Sequence, residues 1–318
     1  MLDWQFNEVS RWISPNQNCQ YPERGAQMNG NAIFDPRSLM DSAVCDPCVL
    51  DPDFPFEQFV THFISQGSVV HATVWIAQGR EPKGTVILTP QMFGGDRLES
   101  VIIPLMTAGI NVMTFHPRGM WDNQHIYTLT GAIDDLLAAA AYVRSTAKGD
   151  IRTPAGNAWR TDTARIAVMG LSGGGGTVSI SACAEDPLIQ SVIAVAPANK
   201  SAPLPPEMIA GLEPVKARTA GRIDVVATMN AMTPAENDRM SPIVQAPRLV
   251  EKNILLVGAM RDVVSPLEIA HRPIAQAMRD AGVRAFDEVI LDTDHSFLTK
   301  RIALARLMIE WLRKRGGF

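Results

Sequence analysis

The sequence predicts an open, mostly parallel α/β sheet of about eight strands, flanked by helices and carrying a small cap insertion. Three observations predict it. Strand-like and helix-like segments alternate from about residue 56 to about residue 315. Most strand-like runs are short and continuously apolar, as expected of a sheet covered on both faces. One Pro-rich stretch, at about residues 199–251, interrupts the rhythm between two such runs and reads as a cap or lid.

Taken in order, residues 1–55 are rich in Pro, Asn and Asp with little periodicity, and read as an N-terminal extension that covers the main domain. Residues 56–318 form the domain proper. Runs at 59–64 and 69–76 alternate apolar and polar positions and are joined through Gln66-Gly67, the pattern of an antiparallel hairpin. Core-strand runs follow at 85–89, 110–115, 165–169, 191–196, 253–257 and 286–291. Helical spacing covers 96–108 and 131–147. Ser265-Pro-Leu-Glu268 has the form of a capping box with Pro at the first helical position, opening a helix to about Ala281. Leu304, Leu307, Met308 and Trp311 share one face of a last helix that stops at Gly316-Gly317.

Composition excludes several classes. With 318 residues, 46% of them hydrophobic, the chain can bury a substantial core, which removes wholesale disorder. A formal charge of −4 supplies no basic patch for phosphates, so nucleic acid is not an expected partner. The longest apolar stretch, 101–115, is broken by Pro104, Gly109 and Asn111, so no membrane span is expected. The first residues carry neither a basic nor an apolar leader segment. The expected location is cytoplasmic unless a leader has been removed upstream. Four cysteines are too few for a disulfide scaffold. Cys45 and Cys48 have metal-ligand spacing without a second ligand pair, and a surface thiol pair or a bridge to Cys19 is the plainer reading.

The chemistry lies in Gly170-Leu-Ser-Gly-Gly174, a G-x-S-x-G directly after one strand run and before a helix. A sharp strand-to-helix turn lifts Ser172 above the carboxyl edge of the sheet, and the glycines remove Cβ clashes in that turn. N–H groups at the start of the following helix can stabilise negative charge. The bland alternative is a Gly-rich turn with an incidental serine. Neither a Walker loop nor a dinucleotide fingerprint fits these glycines, since no Lys follows them and G-x-G-x-x-G cannot be laid over 170–178.

A nucleophilic serine needs a base and an orienting carboxylate. Of six histidines, His62 and His71 fall in the first strands, away from the carboxyl edge, and His271 lies along a helix. His295 follows the last strand run and precedes the last helix. Asp262 ends the loop after the preceding strand run. Ser172, Asp262 and His295 thus occupy three loops at one sheet edge, in the chain order that goes with a nucleophile elbow. Asp292 and Asp294 are rival carboxylates beside the histidine. The oxyanion hole is expected from the N–H of Gly173 and, since Pro90 has no N–H, from that of Gln91 or Met92, with Gln91 favoured.

This pattern resembles the α/β-hydrolase superfamily over roughly residues 56–315. His116-Pro-Arg-Gly119 is similar to its D-x-R-G loop, with His116 in the usual Asp position. Gly258, Asp262 and Pro266, with Asp294-His-Ser-Phe297, most resemble the dienelactone-hydrolase and prolyl-oligopeptidase-like branch. Thr89-Pro90 replaces that superfamily's usual His-Gly, and no segment is long enough for the oligopeptidase β-propeller. The resemblance implies Ser172 as nucleophile, His295 as base and Asp262 as its orienter.

The function expected is hydrolysis of carboxylic esters through an acyl-enzyme, on a neutral small-molecule substrate. Peptidase, amidase or acyltransferase chemistry on the same triad is the alternative, and a catalytically silent binding module is the alternative of another class. Trp121, His125 and Met232 are candidate pocket residues, with Met229 and Met240 as a further apolar wall. Arg118 is expected to pack its own loop. No metal or organic cofactor is expected, since no HExxH or clustered ligand set occurs. Self-association is left open.

Overall fold

A computed structural model describes residues 42–47, 49–92, 98–120, 123, 125–149, 151–199, 206–221 and 223–318. Most of the N-terminal extension, with Cys19 and Cys48, lies outside the described residues, as does Trp121.

Among the described residues the first elements are the expected hairpin, β1 (Glu57–Ser65) and β2 (Ser68–Ile76). Gln66 and Gly67 have φ of 48° and 77°, the paired positive values of a type I′ turn whose twist suits a two-residue hairpin. Phe59 and Phe63 on its inner face meet Trp159 edge-on and stack on Tyr142. The core strands are β3 (Lys83–Thr89), β4 (Asn111–Phe115), β5 (Thr161–Leu171), β6 (Ser191–Val195), β7 (Asn253–Ala259) and β8 (Ala285–Leu291). Together they form one eight-stranded sheet in the order β1-β2-β4-β3-β5-β6-β7-β8. β2 is antiparallel to both β1 and β4, and every other pairing is parallel.

Alternate residues of the core strands feed two apolar layers, which explains why each run is apolar throughout. Ile87, Val168, Val192 and Ile254 point to α2 (Leu129–Thr146), α3 (Val178–Glu185) and α8 (Arg272–Asp280). Leu88, Met169, Ile193 and Leu255 point to α1 (Ile102–Thr107) and α9 (Arg301–Arg315). On the edge strand β8, Asp287 accepts from Trp311 and Arg315 of α9, while Glu288 pairs with His271 and Arg279 on the opposite face. Neighbouring carboxylates thus tether one helix on each side of the sheet, by the alternation of a strand.

Between β6 and β7 lie α4 (Pro206–Arg218), α5 (Val225–Ala231), α6 (Pro234–Arg239) and α7 (Pro242–Gln245). The insertion is not uniform. Met240, Ala246 and Leu249 are fully buried in the layer beneath α3, so its last third is core. Arg239 binds Glu185 of α3 through two nitrogens at 2.6 and 2.8 Å and reaches Asp134 of α2 at 2.7 Å.

Two local expectations are corrected. The Ser265–Glu268 capping box does not form. The Ser265 N–H is taken by Asp262 at 2.7 Å, and a π-type turn, Leu267–His271, leads into α8. His71 is not remote from the carboxyl edge. Because β2 runs antiparallel to β4, its beginning lies there, and the His71 carbonyl accepts from His116 N–H just beyond β4.

Candidate active site

β5 leaves the sheet at Leu171, and Ser172 takes φ 66° and ψ −167° before the chain turns into α3 through a π-type turn, Gly173–Thr177. Such a conformation is strained for a residue with a side chain and persists only where its surroundings impose it. Two glycines permit the close packing around it. A Cβ on Gly170 would lie 2.5 Å from Gly175 Cα, and one on Gly174 would lie 2.3 Å from Met92 N. The elbow therefore folds tightly on itself and against the Gln91–Met92 peptide that follows β3. Both oxyanion candidates of that loop, Gln91 and Met92, stand beside the turn that carries Gly173.

Asp262 lies three residues beyond β7, and His295 four beyond β8. The two loops are joined by their backbones, Met260 N–H to Leu291 carbonyl at 2.8 Å and Arg261 N–H to Thr293 carbonyl at 2.9 Å. His295 Nδ1 lies 2.7 Å from Asp262 Oδ2. Asp262 Oδ1 accepts from Val264 N–H at 2.8 Å and Ser265 N–H at 2.7 Å. The Asp262 side chain is 1% exposed and that of His295 12%, a buried acceptor behind a ring that still reaches the surface.

The rival carboxylates are engaged elsewhere. Asp294 Oδ1 accepts from Ser296 N–H at 2.8 Å and shapes the histidine loop, while Asp292 forms an exposed pair with Arg261. Phe297, at φ 56°, is fully buried beneath the loop.

After β4, Arg118 donates its Nε to Asp135 Oδ1 at 2.7 Å and its backbone N–H to Oδ2 at 2.8 Å, so it packs its loop as expected. Asp135 is fully buried on α2. A charged residue on an otherwise apolar stripe (Ala132, Ile133, Leu136, Ala139) was the available signal for it. The Asn123 amide is inserted between β2 and the end of β4. It accepts from His71 N–H at 3.4 Å and donates to the His116 carbonyl. Nothing in the local pattern marks that wedge.

Of the candidate pocket residues, His125 and Met232 are described. His125 is exposed and its Nε2 lies 2.7 Å from Ser68 Oγ, against the first hairpin. Met232 and Met229 are partly buried on the layer shared with α2 and α3, while Met240 is fully buried there and offers no wall. Cys45 and Cys183 carry free thiols. Among the described residues, no group of three or more His, Cys, Asp or Glu side chains is arranged to hold a metal ion, and no helix is long and apolar enough to cross a membrane.

No family model matches the sequence, and no curated protein is similar to it in sequence. Solved structures are similar in fold. An acylaminoacyl peptidase of Pyrococcus horikoshii superposes with a TM-score of 0.60 at 15% identity, over 82% of this chain and 42% of that one. A puromycin-hydrolyzing peptidase of Mycobacterium tuberculosis gives 0.56 at 15% identity, over 84% and 40%. An esterase of Pyrobaculum calidifontis gives 0.58 at 17% identity, over 82% and 86%. The chain thus spans less than half the length of those peptidases and most of the length of that esterase.

Proposed function

We propose that this chain, which has the α/β-hydrolase fold, is a serine hydrolase that cleaves carboxylic esters through an acyl-enzyme. The observation that carries the reading is the 2.7 Å hydrogen bond between buried Asp262 and His295, at the sheet edge where Ser172 is held in a strained turn. Asp262 fixes the ring so that Nε2 is the basic nitrogen. His295 takes the Ser172 proton as Oγ attacks the ester carbonyl. N–H groups of Gly173 and of Gln91 or Met92 stabilise the oxyanion. The alcohol leaves with the proton from His295, and water, activated by the same ring, releases the acid.

A peptidase or amidase is the second reading, favoured by the peptidases among the similar structures. The similar esterase matches this chain over most of its own length and favours the first. Transfer of the acyl group to an alcohol needs only a different acceptor at the second step. The first half of the insertion, α4 to α6, is the proposed cap. Asn199 at its base donates to the Ile269 carbonyl at 2.9 Å, joining it to the turn after the Asp262 loop.

A fluorophosphonate probe tests the class. It is expected to form one covalent adduct, located by peptide mass spectrometry at Ser172, and none in Ser172→Ala. An adduct elsewhere, or no adduct at all, overturns the assignment, and the second result is that expected of a silent binding module. Esters and amides of one acyl group, compared by kcat/KM, then separate the two hydrolase readings.

A further inference from the structure

We propose that β1 is a docking edge for a second copy of this chain, whose own β1 pairs with it antiparallel about a two-fold axis at Thr61. Among the described residues β1 is the outermost strand on its side of the sheet and pairs with β2 alone. An open edge invites a further strand, and proteins usually blunt it with charged side chains, Pro, a bulge or a short edge strand. At the other edge β8 carries Asp287 and Glu288, which hold Arg315 and Arg279. β1 lacks such devices. It is nine residues long, and its register with β2 is unbroken from Glu57↔Ile76 to Ser65↔Ser68. Its one charged side chain, Glu57 at the start of the strand, accepts from the Asn157 amide at 3.0 Å. Gln58, Val60, His62 and Ile64 are exposed along it, Val60 at 72% and Ile64 at 59%.

The strand is complementary to itself. In a two-residue type I′ hairpin the flanking residues, Ser65 and Ser68, close as a hydrogen-bonded pair. Pairs alternate along an antiparallel ladder, so the odd-numbered residues of β1 bond to β2. Gln58, Val60, His62 and Ile64 therefore turn their N–H and C=O groups to the open edge. A two-fold axis at Thr61 sets Val60 opposite His62 of the second copy and Gln58 opposite Ile64, and each pair exchanges both of its hydrogen bonds. On the inner face Thr61 Oγ1 lies 2.8 Å from the Tyr142 hydroxyl of α2. From Leu136 to Val143 that helix carries no charge, although Leu137, Ala138 and Tyr142 are only partly buried and Ala141 is exposed. The same axis brings α2 beside its counterpart under the joined sheets, and the cores of homodimer interfaces are apolar and depleted of charge in this way.

Sedimentation of the full chain over a wide concentration range is expected to show a reversible monomer–dimer equilibrium. Val60→Lys places a charge on the open edge and is expected to raise the dimer dissociation constant by about tenfold or more. Because Val60 is exposed, that variant keeps the fold. His62→Pro removes an N–H that faces the open edge and leaves the β2 ladder intact, and it should weaken the dimer likewise. Val244→Lys, at an exposed valine of α7, leaves the equilibrium unchanged. The register is read by cross-linking in a chain with Cys19→Ser, Cys45→Ser and Cys48→Ser. Cα atoms of a hydrogen-bonded pair are about 5.5 Å apart, within disulfide reach. A mixture of Val60→Cys and His62→Cys chains should therefore form a disulfide-linked dimer that neither variant forms alone. A monomer at every concentration, a dimer that both edge substitutions leave unchanged, or bridges in the single variants alone overturns the proposal.

Discussion

His295 Nδ1 and Asp262 Oδ2 are 2.7 Å apart, and the second oxygen of that carboxylate is held by the N–H groups of Val264 and Ser265. Three donors therefore fix the carboxylate, and the ring takes its orientation from a group that has no freedom to turn. Asp294 and Asp292 have different partners, a backbone N–H in its own loop and the Arg261 guanidinium.

Asp262→Asn is expected to lower kcat for a p-nitrophenyl ester by about 10⁴-fold, since an amide in this place can stabilise the wrong ring tautomer. Asp292→Asn should leave kcat within about threefold, as an exposed ion pair contributes little. Asp294→Asn keeps an oxygen for Ser296 N–H and should behave like Asp292→Asn. A profile in which Asp294→Asn destroys turnover and Asp262→Asn does not would move the acid to position 294.

Gly174 tests the oxyanion loop. An added Cβ would meet Met92 N at 2.3 Å and Met92 Cα at 2.5 Å, both backbone, so Gly174→Ala must push the Gln91–Met92 peptide away from the elbow. Loss of one oxyanion donor lowers kcat by about 10²–10³-fold, and that is the expected effect on ester turnover. Gly156 is the control. It has φ of 84° with open space around it, so Gly156→Ala strains the backbone without touching the site. Equal kcat in Gly174→Ala and the parent would remove Gln91 and Met92 from the mechanism.

What could be read in advance divides by the range of the forces involved. The core strands were legible because burial on both faces writes a continuous apolar run, and the edge loops because each follows such a run. The Gln66-Gly67 turn was legible because its conformation is local. His71 was misplaced because strand direction is set by the partner β4, not by residues 69–76. Ser265 looked like a helix cap until Asp262, three residues upstream, claimed its N–H. Asp135 and Arg118 are 17 positions apart and meet only when α2 docks. The insertion divides at Arg239, whose carboxylate partners lie on α2 and α3, more than 50 positions away.

Arg118 should be worth more to stability than to binding. Its removal leaves the fully buried Asp135 carboxylate with the position-118 backbone N–H as its remaining donor in this contact. Breaking a buried pair in this way costs about 3–5 kcal/mol. Arg118→Ala is expected to lose about that much in urea unfolding, and adding Asp135→Leu should recover part of it. A loss under about 1 kcal/mol would mean that the pair behaves as a surface bridge.

His271 sets a pH dependence of stability that ester kinetics would not report. Its Nε2 lies 2.8 Å from Glu288 Oε1, and the ring packs so closely on β7 that a Cβ at Gly258 would fall 2.7 Å from Nδ1. Burial is the largest influence and lowers its pKa. Glu288 opposes that effect, and the Arg272 and Arg279 cations add to it. The folded chain therefore resists a proton that the unfolded chain accepts at about pH 6.5. Between that value and the lower folded pKa the unfolded state binds more protons, so this contribution to stability falls as pH falls and is fully present above about pH 7. Urea midpoints measured from pH 7 down to about pH 5 should drop more steeply for the parent than for His271→Gln, which keeps an N–H for Glu288 and cannot titrate. Carboxylates contribute to both curves and cancel in the difference. Parallel curves would show that His271 protonates equally well in both states.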